Sequence, residues 1–431
     1  MTIVGIDDTD SRTRGMCTTY LGVRIADALR ERGVPIRRLC LVRLNPAIEH
    51  KTRGNAAVAV HADCDPDVAF EVATELIDRL AETDDPNTRP GLVVAPDRDG
   101  SPDAVVEFAG RGLHERHDLE EALTLIEGAD YRQAGWAGGR GRIGALAAVG
   151  ASAPSTAESD DPRSFEEWTY EHITYRERER WGTPRVIDPD SVFAAADGAY
   201  PEVWDTVDRG TGDLVCVPSA PGPVLHGIRG DDPEIVREVA ARIESEPAER
   251  TATFLTNQGT DAHLLPGEIA TARNGRAYRL EGTVSSPPET RRGGHVFLTI
   301  EDGGRTMECA AFEPTKRFRN RVRALRTGDR IVACGEVSDG TLKLEKFAVR
   351  ELNRIAHETP DCPDCGRSME SAGRDQGYRC RDCGTSSNGK VEIQIERDLE
   401  PGWYEVPPCA RRHVAKPLIR GGFDAPIHPE R

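Results

Sequence analysis

Two CxxC pairs near the C-terminal end constrain the fold of this chain more than any other sequence feature. Cys362 and Cys365 form the first pair, and Cys380 and Cys383 form the second after fourteen intervening residues. A glycine follows each pair directly, which favours a tight turn. Four thiolates on two such turns complete a tetrahedral zinc shell and leave no open coordination position. The spacing therefore predicts a structural zinc ribbon, and the alternative is four free thiols on a loop.

The charge balance is acidic, but it does not exclude a nucleic acid as a partner. The chain has 73 acidic and 56 basic residues, and only six of the basic residues are lysines. An acid-rich, lysine-poor composition is what a salt-loaded cytoplasm is expected to select, because it keeps proteins soluble. At roughly 1 M salt the Debye length is about 3 Å, so the net negative field hardly reaches a polyanion. We therefore expect a salt-adapted source.

Length and cysteine usage indicate a multidomain cytoplasmic protein. A chain of 431 residues is too long for one ordinary core. No apolar stretch is long enough to span a bilayer, and the first acid at Asp7 excludes a secretory signal. Unevenly spread cysteines with two CxxC pairs favour metal binding in a reducing compartment over a disulfide framework. We expect no membrane partner, and the sequence indicates no obligate protein partner.

The hydrophobic patterns predict several α+β units in series. A strand over Thr2–Ile6 and a helical spacing over Thr18–Arg32 open the first unit. A β-β-α-β set with strands at Asp213–Pro218 and Pro223–Gly227 suggests a ferredoxin-like unit, and five short strands with one helix after the third suggest an OB-fold barrel. We expect these boundaries: an α/β domain over 1–150, a ferredoxin-like domain over 165–270, an OB fold over 278–352, the zinc ribbon over 357–390 and a basic C-terminal tail over 391–431.

Three acids stand directly after the first apolar strand. Asp7, Asp8 and Asp10 lie within four positions. Clustered carboxylates destabilise one another unless a cation neutralises them, and Mg²⁺ prefers a few such oxygens together with phosphates. The segment therefore indicates a magnesium site, with Asp7 and Asp8 as its first candidates. The alternative is an Asp-rich turn in which Asp and Ser cap a helix.

Two further stretches supply groups that suit a nucleotide. The segment after the strand near Arg38–Leu44 offers Lys51, Arg53 and Asn55, whose donors suit phosphate oxygens. The glycine-rich loop before the last helix of the first domain offers backbone N–H groups that cradle an anion, although it could simply be a hairpin. Its candidates are Gly138, Gly139, Arg140 and Gly141. Together with the acidic loop, these stretches supply the carboxylates, cationic side chains and backbone amides that phosphoryl chemistry with ATP and Mg²⁺ needs.

Two acid-free basic runs are candidate RNA contacts. The first extends from Lys316 to Arg326 and the second from Pro407 to Gly422. The predicted contacts are Arg317, Arg319, Arg321 and Arg323 in the first run, and Arg411 and Arg412 in the second. For the first run, the alternative is a solvated helix face.

Several motifs resemble one known family. "GIDDTDS", "VRLNPAIEHKTRGNAA", "GGRGRIGALAAVGA", "TNQGTDAHL" and "EVPPCARRHVAKPL" closely resemble, in this order, the archaeal agmatidine synthetases. The resemblance implies an atypical kinase-like catalytic domain over 1–150 that binds ATP and cleaves it to AMP. It also implies a cytidine substrate at the start of the CAU anticodon of the minor isoleucine tRNA, and agmatine as the attacking amine. Asp7, Asp8, Asp10 and Thr18 would then be catalytic, with Thr18 capping the next helix and accepting a phosphoryl group.

Two rival interpretations come from other functional classes. A non-catalytic single-stranded nucleic-acid binder would explain the OB fold and the ribbon, but it leaves the first 150 residues without a purpose. A small-molecule kinase with an accessory RNA-binding tail is the third interpretation. ATP turnover that requires both an RNA and an amine distinguishes the ligase from both.

Overall fold

Two α/β units, a β-barrel, a zinc ribbon and a returning C-terminal segment follow one another along the chain. The computed structural model describes residues 1–48, 54–96, 101–151 and 167–431. Within these ranges, no helix is long and apolar enough to cross a membrane. The predicted linker from Ala151 to Ser164 lies almost wholly outside the described residues.

The first unit begins with the strand and helix that the sequence predicts. Asp65 caps the second helix as expected, because its side chain accepts a hydrogen bond from the Asp67 amide at 2.8 Å and Pro66 occupies the first turn. The elements are β1 (Thr2–Asp7), α1 (Thr18–Glu31), β2 (Ile36–Arg43), β3 (Ala56–Ala62), α2 (Pro66–Leu80), β4 (Gly91–Pro96), α3 (Asp103–Arg111), α4 (Leu119–Gly128), β5 (Arg132–Gly135) and α5 (Arg142–Gly150).

The sheet of the first unit is apolar on both faces because helices cover both. Its strands run antiparallel in the order β5-β4-β1-β3-β2. Val4 and Ile6 of β1 pack in one core with α1 and α2, and Ile3 packs in the opposite core with α3 and α5. Ile6 is fully buried, and burial of such a side chain contributes about 1.5–3 kcal/mol. The two cores hold β1, and therefore the acidic loop that follows it, in a fixed position.

The second unit has a ferredoxin-like topology. Its elements are β6 (Thr169–Arg176), α6 (Pro189–Asp197), β7 (Val203–Trp204), β8 (Val224–Gly230), α7 (Pro233–Ala241) and β9 (Ala248–Thr256), with strand order β9-β6-β8-β7. The strand predicted over Asp213–Pro218 is wrong. Just before this stretch, Asp208 accepts hydrogen bonds from the amides of Gly210 and Thr211, which folds the following chain into a turn and a loop.

The two α/β units share one sheet and one topology. β2 of the first unit pairs with β9 of the second in parallel, with Cys40 opposite Leu255. The Asn257 side chain reinforces the junction, because it accepts from the Arg43 amide at 2.7 Å and donates to the Arg43 carbonyl at 3.0 Å. The first six elements of the first unit, from β1 to β4, follow the same β-α-β-β-α-β order as the second unit. The sequence shows no internal repeat, so this similarity is visible only in the fold.

The third unit is the predicted OB-type barrel. Its elements are β10 (Leu264–Gly267), β11 (Arg276–Thr290), β12 (Val296–Asp302), β13 (Arg305–Ala311), α8 (Phe318–Arg323), β14 (Arg330–Ser338) and β15 (Thr341–Glu351). The barrel closes because β14 pairs with both β11 and β15, and β13 pairs with β15. The helix α8 follows β13, the third of the five barrel strands β11 to β15, as the pattern predicts.

The ribbon and the C-terminal segment complete the chain. Their strands are β16 (Ile355–Glu358), β17 (Glu370–Ser371), β18 (Tyr378–Arg379), β19 (Ser386–Ser387), β20 (Val391–Gln394), β21 (Gly402–Glu405) and β22 (Ile427–His428). β21 pairs with β15 of the barrel, with Phe347 opposite Tyr404. The segment expected to be a tail therefore returns onto the barrel, because Trp403 and Tyr404 are apolar side chains that become buried there.

Candidate active site

The acidic loop forms a tight, partly buried cluster at the end of β1. Asp8 has a left-handed backbone (φ 57°), and its amide donates to the Asp7 carboxylate at 2.7 Å. Burial and the neighbouring charge of Asp8 raise the pKa of Asp7 well above its ordinary value. Burial also raises the pKa of Asp8, although Arg140 acts against this shift. The cluster therefore has more negative charge than its surroundings stabilise.

The glycine-rich loop brings α5 against this cluster. The Arg140 guanidinium donates to the Asp8 carboxylate at 2.8 Å. A Cβ at Gly144 would lie 2.0 Å from the Asp7 carboxylate oxygen, so only glycine permits this approach. The amides of Gly139 and Gly141 donate to the carbonyls of Trp136 and Arg89. These two amides are thus already paired, contrary to the expectation of bare N–H groups.

Thr18 lies beside the acidic loop, but it does not cap the helix. It is the first residue of α1, and Cys17 precedes it as an N-cap that makes no side-chain capping bond. The Thr18 hydroxyl accepts a hydrogen bond from the Thr9 hydroxyl at 3.0 Å. The expected capping role is therefore wrong, while the Thr9 contact holds Thr18 beside the acidic loop.

One cavity of about 630 Å³ collects most of the predicted nucleotide and catalytic residues. Its lining includes Asp7, Asp8, Asp10, Thr18, Asn55, Gly138, Arg140 and Gly141. Gly139 is not among the lining residues. Lys51 and Arg53 lie outside the described residues. The Asn55 side chain donates to the Asn45 carbonyl at 2.9 Å, which fixes the rim of the cavity.

The cavity lining also includes charged or titratable residues that were not among the sequence candidates, and four of them lie on elements far apart in the chain. Arg43 comes from the end of β2, Glu171 and Arg229 come from the second unit, and His413 comes from the C-terminal segment. Arg43 and His413 stand inside motifs that carry the resemblance, so a signal existed for them. Glu171 and Arg229 carried no local signal, because only the shared sheet brings them to the first unit.

Some arginines of the basic run on the barrel pair with carboxylates, and others are exposed. Arg321 and Arg323 are exposed. Arg319 donates to the Gly294 carbonyl at 2.6 Å and lies 3.5 Å from Glu313. Arg317 donates to the buried Asp208 at 2.8 Å and pairs with Glu430. Arg317 therefore connects the barrel to the second unit, and the outer face of α8 presents the charges of Arg321 and Arg323.

The arginine pair of the second run is structural in this fold. Arg411 is 3% exposed and pairs with Asp205 and with Glu405, the latter at 2.8 Å. Arg412 pairs with Glu336 and Glu345 on the barrel. Both guanidinium groups are thus paired with carboxylates, although the Arg412 side chain is 35% exposed. This pairing contradicts the interpretation of the run as unopposed charge.

The four cysteines of the CxxC pairs converge into one cluster. The sulfur atoms of Cys362, Cys365, Cys380 and Cys383 all lie within 4.8 Å of one another. The two turns have the same geometry, because Gly366 and Gly384 adopt φ of 72° and 74° and donate to the carbonyls of Cys362 and Cys380. Four thiolates at this spacing fit a tetrahedral zinc ion, and the set has no place for a catalytic water.

The fold and the cavity together define a class of protein. It is a multidomain protein in which two α/β units form a cleft that contains a carboxylate cluster, and these units are linked to an OB-type barrel and a zinc ribbon. Four family models match the chain: the TiaS TCKD domain over residues 3–65, the TiaS FLD domain over 139–263, the OB-fold nucleic acid binding domain over 278–345 and the TiaS C-terminal zinc ribbon domain over 359–399.

Relatives and solved structures agree with these models along the whole chain. The chain is 54% identical to the isoleucine-tRNA 2-agmatinylcytidine synthetase TiaS of Haloquadratum walsbyi, over 100% of both proteins. It matches the crystal structure of TiaS in complex with the isoleucine tRNA and ATP with a TM-score of 0.89 and 40% identity, over 100% of this chain and 99% of that chain. It matches the crystal structure of TiaS in complex with the tRNA, AMPCPP and agmatine with a TM-score of 0.86 and 38% identity, over 100% of this chain and 99% of that chain. The chain belongs to the archaeal family of 2-agmatinylcytidine synthetases for isoleucine tRNA, which confirms the resemblance.

Proposed function

We propose that this protein is an ATP-dependent ligase that joins agmatine to the 2-carbonyl carbon of the first anticodon cytidine of the minor isoleucine tRNA. The product, agmatidine, lets the CAU anticodon decode AUA as isoleucine. The observation that carries the proposal is the cavity that brings together the acidic loop, Thr18 and the glycine-rich loop. The solved relatives with the isoleucine tRNA, ATP and agmatine support the same substrates.

The chemistry explains why an ATP site and an RNA-reading module occur on one chain. A nucleobase carbonyl carbon is a poor electrophile, and its oxygen is a poor leaving group. Phosphorylation of that oxygen makes it a good leaving group, so that the amine replaces it and a C–N bond forms. An unstacked base is accessible for this attack. A non-catalytic binder would give the cavity and the acidic loop no role.

The acidic loop is suited to a divalent cation. Asp7 and Asp8 supply hard oxygen ligands, and burial raises the pKa of both carboxyl groups, which a bound cation would offset. We propose that these two residues hold Mg²⁺, with Asp10 in the same cluster. When bound, Mg²⁺ neutralises the phosphate charge that develops during transfer. Arg140 holds Asp8 in place through its 2.8 Å contact.

Thr18 is positioned to accept a phosphoryl group. Its hydroxyl lines the cavity and is fixed by the Thr9 hydroxyl. We propose that Asn55, Gly138, Arg140 and Gly141 contact the nucleotide, and that Gly139 shapes the loop through its left-handed backbone. Lys51 and Arg53 remain predicted nucleotide contacts. The domain boundaries and a cytoplasmic location also remain predictions.

The product assay tests the proposed function directly. Incubation of the protein with the tRNA, agmatine and ATP in high salt should convert the first anticodon cytidine to agmatidine, as measured by mass spectrometry of digested nucleosides. Omission of agmatine or of ATP is the control. An unmodified cytidine with demonstrably folded protein would end the ligase proposal. Phosphate mapped to Thr18, and lost in Thr18→Ala, would support its role, whereas full activity of Thr18→Ala would remove it.

The exposed arginines of α8 are proposed RNA contacts. Replacing Arg321 and Arg323 with Gln should lower the slope of log affinity against log salt by roughly one per lost phosphate contact, because fewer counterions are released. The matched control replaces Arg30 and Arg32, which are exposed on the first unit. An unchanged slope for tRNA binding would show that the arginines of α8 lie on a solvated helix face and do not contact the RNA.

The zinc ribbon should matter for the tRNA more than for ATP. Cys380→Ser is expected to lower the zinc content, because a hydroxyl replaces one of four thiolate ligands. It should weaken tRNA binding more than binding of an ATP analogue. Cys64→Ser, outside the cluster, is the control. Equal zinc content in Cys380→Ser and the unaltered protein, measured by metal analysis, would contradict this assignment.

A further inference from the structure

The acid-free C-terminal run fixes the position of one residue in the cavity. Its cations are tied to carboxylates of the second unit, the barrel and β21: Arg411 to Asp205 and Glu405, Arg412 to Glu336 and Glu345, Lys416 to Glu167, and Arg420 to Glu167 and Asp231. These pairs hold the segment between the barrel and the second unit. The run therefore has a structural purpose that its composition alone does not reveal.

His413 is the exception within this run. Its backbone carbonyl accepts from the Gly259 amide at 2.8 Å, which fixes the position of the residue. Its side chain lines the cavity and is exposed to it. Within the described ranges, neither ring nitrogen has a hydrogen-bond partner in the structure. An imidazole held at its backbone in the cavity lining, with no hydrogen-bond partner on either ring nitrogen among the described residues, is available to a ligand.

Two arginines lie next to this imidazole. Arg43 and Arg229 share one carboxylate, Glu171, at 3.6 Å and 3.2 Å. A Cβ at Gly54 would lie 2.8 Å from an Arg43 guanidinium nitrogen and 3.6 Å from the His413 ring. Desolvation by the surrounding cavity walls, followed by the charges of Arg43 and Arg229, lowers the pKa of His413 well below its ordinary value. With two guanidinium groups and one carboxylate, this part of the cavity has one surplus positive charge.

We propose that Arg43, Arg229 and His413 form a second phosphate-binding subsite in the cavity, distinct from the carboxylate cluster of Asp7 and Asp8. A phosphate oxygen matches the surplus charge, and guanidinium groups bind it through charge-assisted hydrogen bonds. The imidazole N–H donates a further hydrogen bond. Agmatine fits poorly, since a further guanidinium would face two like charges. The subsite rests on the proposed function for its two phosphate sources: the RNA backbone beside the target cytidine, or the nucleotide.

Equilibrium binding of two probes distinguishes these sources. The full-length protein is titrated with the tRNA and, separately, with a non-hydrolysable ATP analogue. In Arg229→Gln the affinity for the phosphate-bearing ligand should fall by about tenfold to a hundredfold, as expected for the loss of a charge-assisted hydrogen bond. In His413→Ala, which removes only a cavity-exposed ring, the loss should be roughly threefold to tenfold. Arg229→Lys keeps the charge and should restore part of the affinity.

The changes in affinity for the tRNA and for the ATP analogue together identify the source of the bound phosphate. Weaker tRNA binding with a lower salt slope and unchanged analogue binding identifies an RNA phosphate. Weaker analogue binding alone identifies a nucleotide phosphate. His428→Ala, in the same C-terminal segment but outside the cavity, should leave both affinities unchanged. Unchanged affinities for both probes in folded Arg229→Gln and His413→Ala would overturn the subsite. Failure of the proposed function would instead appear as absence of agmatidine with the unaltered protein.

Discussion

Replacing Asp8 with Asn is expected to reduce ATP cleavage by at least about a hundredfold without unfolding the protein. The substitution removes one negative charge from the proposed Mg²⁺ site and weakens the charge-assisted contact with Arg140. Asn suits the position because, with Asp, it is among the non-glycine residues that most readily adopt a left-handed backbone. The loss should therefore report on charge, and not on strain in the loop.

The measurement is the rate of ATP hydrolysis with saturating tRNA and agmatine, with thermal unfolding followed in parallel. Asp84→Asn is the matched control, because Asp84 is 85% exposed and does not line the cavity. Its rate should equal that of the unaltered protein. If folded Asp8→Asn cleaves ATP at a near-normal rate with Mg²⁺ present, the carboxylate–metal proposal fails.

The parts of the fold that depend on local chemistry could be predicted from the sequence. The CxxC spacing predicts the ribbon because the ligands lie on two short turns, each of which folds with its own glycine. The barrel was recognisable because strand spacing and the position of α8 are local patterns. The place of the acidic loop also followed from the sequence, since β1 is a continuous apolar run buried on both faces.

The partners of the charged residues could not be predicted in the same way. Both basic runs are free of acids along the chain, yet acids approach several of their arginines from distant segments. Arg411 meets Asp205 across 206 positions, and Arg412 meets Glu345 across 67. The absence of acids from a run of sequence therefore excludes ion pairs only between neighbours along the chain. The same limit applies to the cavity, where Glu171 and Arg229 reach Arg43 through the pairing of β2 with β9.

The second unit shows a different limit of sequence patterns. Its strand β7 has only two residues, Val203 and Trp204, so it leaves no alternating pattern to detect. The stretch Asp213–Pro218, whose apolar residues predict a strand, instead forms part of the cavity wall through Cys216 and Pro218. Short elements and functional loops thus depend on tertiary contacts that one sequence does not display.

Replacing Arg411 with Met is expected to destabilise the fold by about 3–5 kcal/mol at neutral pH, because two buried carboxylates lose their counter-charge. Arg411 is fully enclosed, and its partners Asp205 and Glu405 are 7% and 2% exposed. Burial already raises the pKa of both carboxyl groups, against the effect of Arg411. Without the guanidinium group, the pKa of each should rise further.

The direction of these pKa shifts fixes the pH dependence of the defect. A carboxyl group with a raised pKa in the folded state binds its proton more tightly there than in the unfolded chain, so the variant loses stability as pH rises above the ordinary carboxyl range. The stability difference from the unaltered protein should therefore be largest at neutral pH and shrink toward pH values of about 4–5. Chemical denaturation at several pH values measures it. Arg209→Met, which removes a half-exposed ion pair with Asp197, should change little at any pH. A small, pH-independent effect of Arg411→Met would show that the C-terminal segment does not depend on this buried pair for its attachment, and His413 would then need another anchor to reach the cavity.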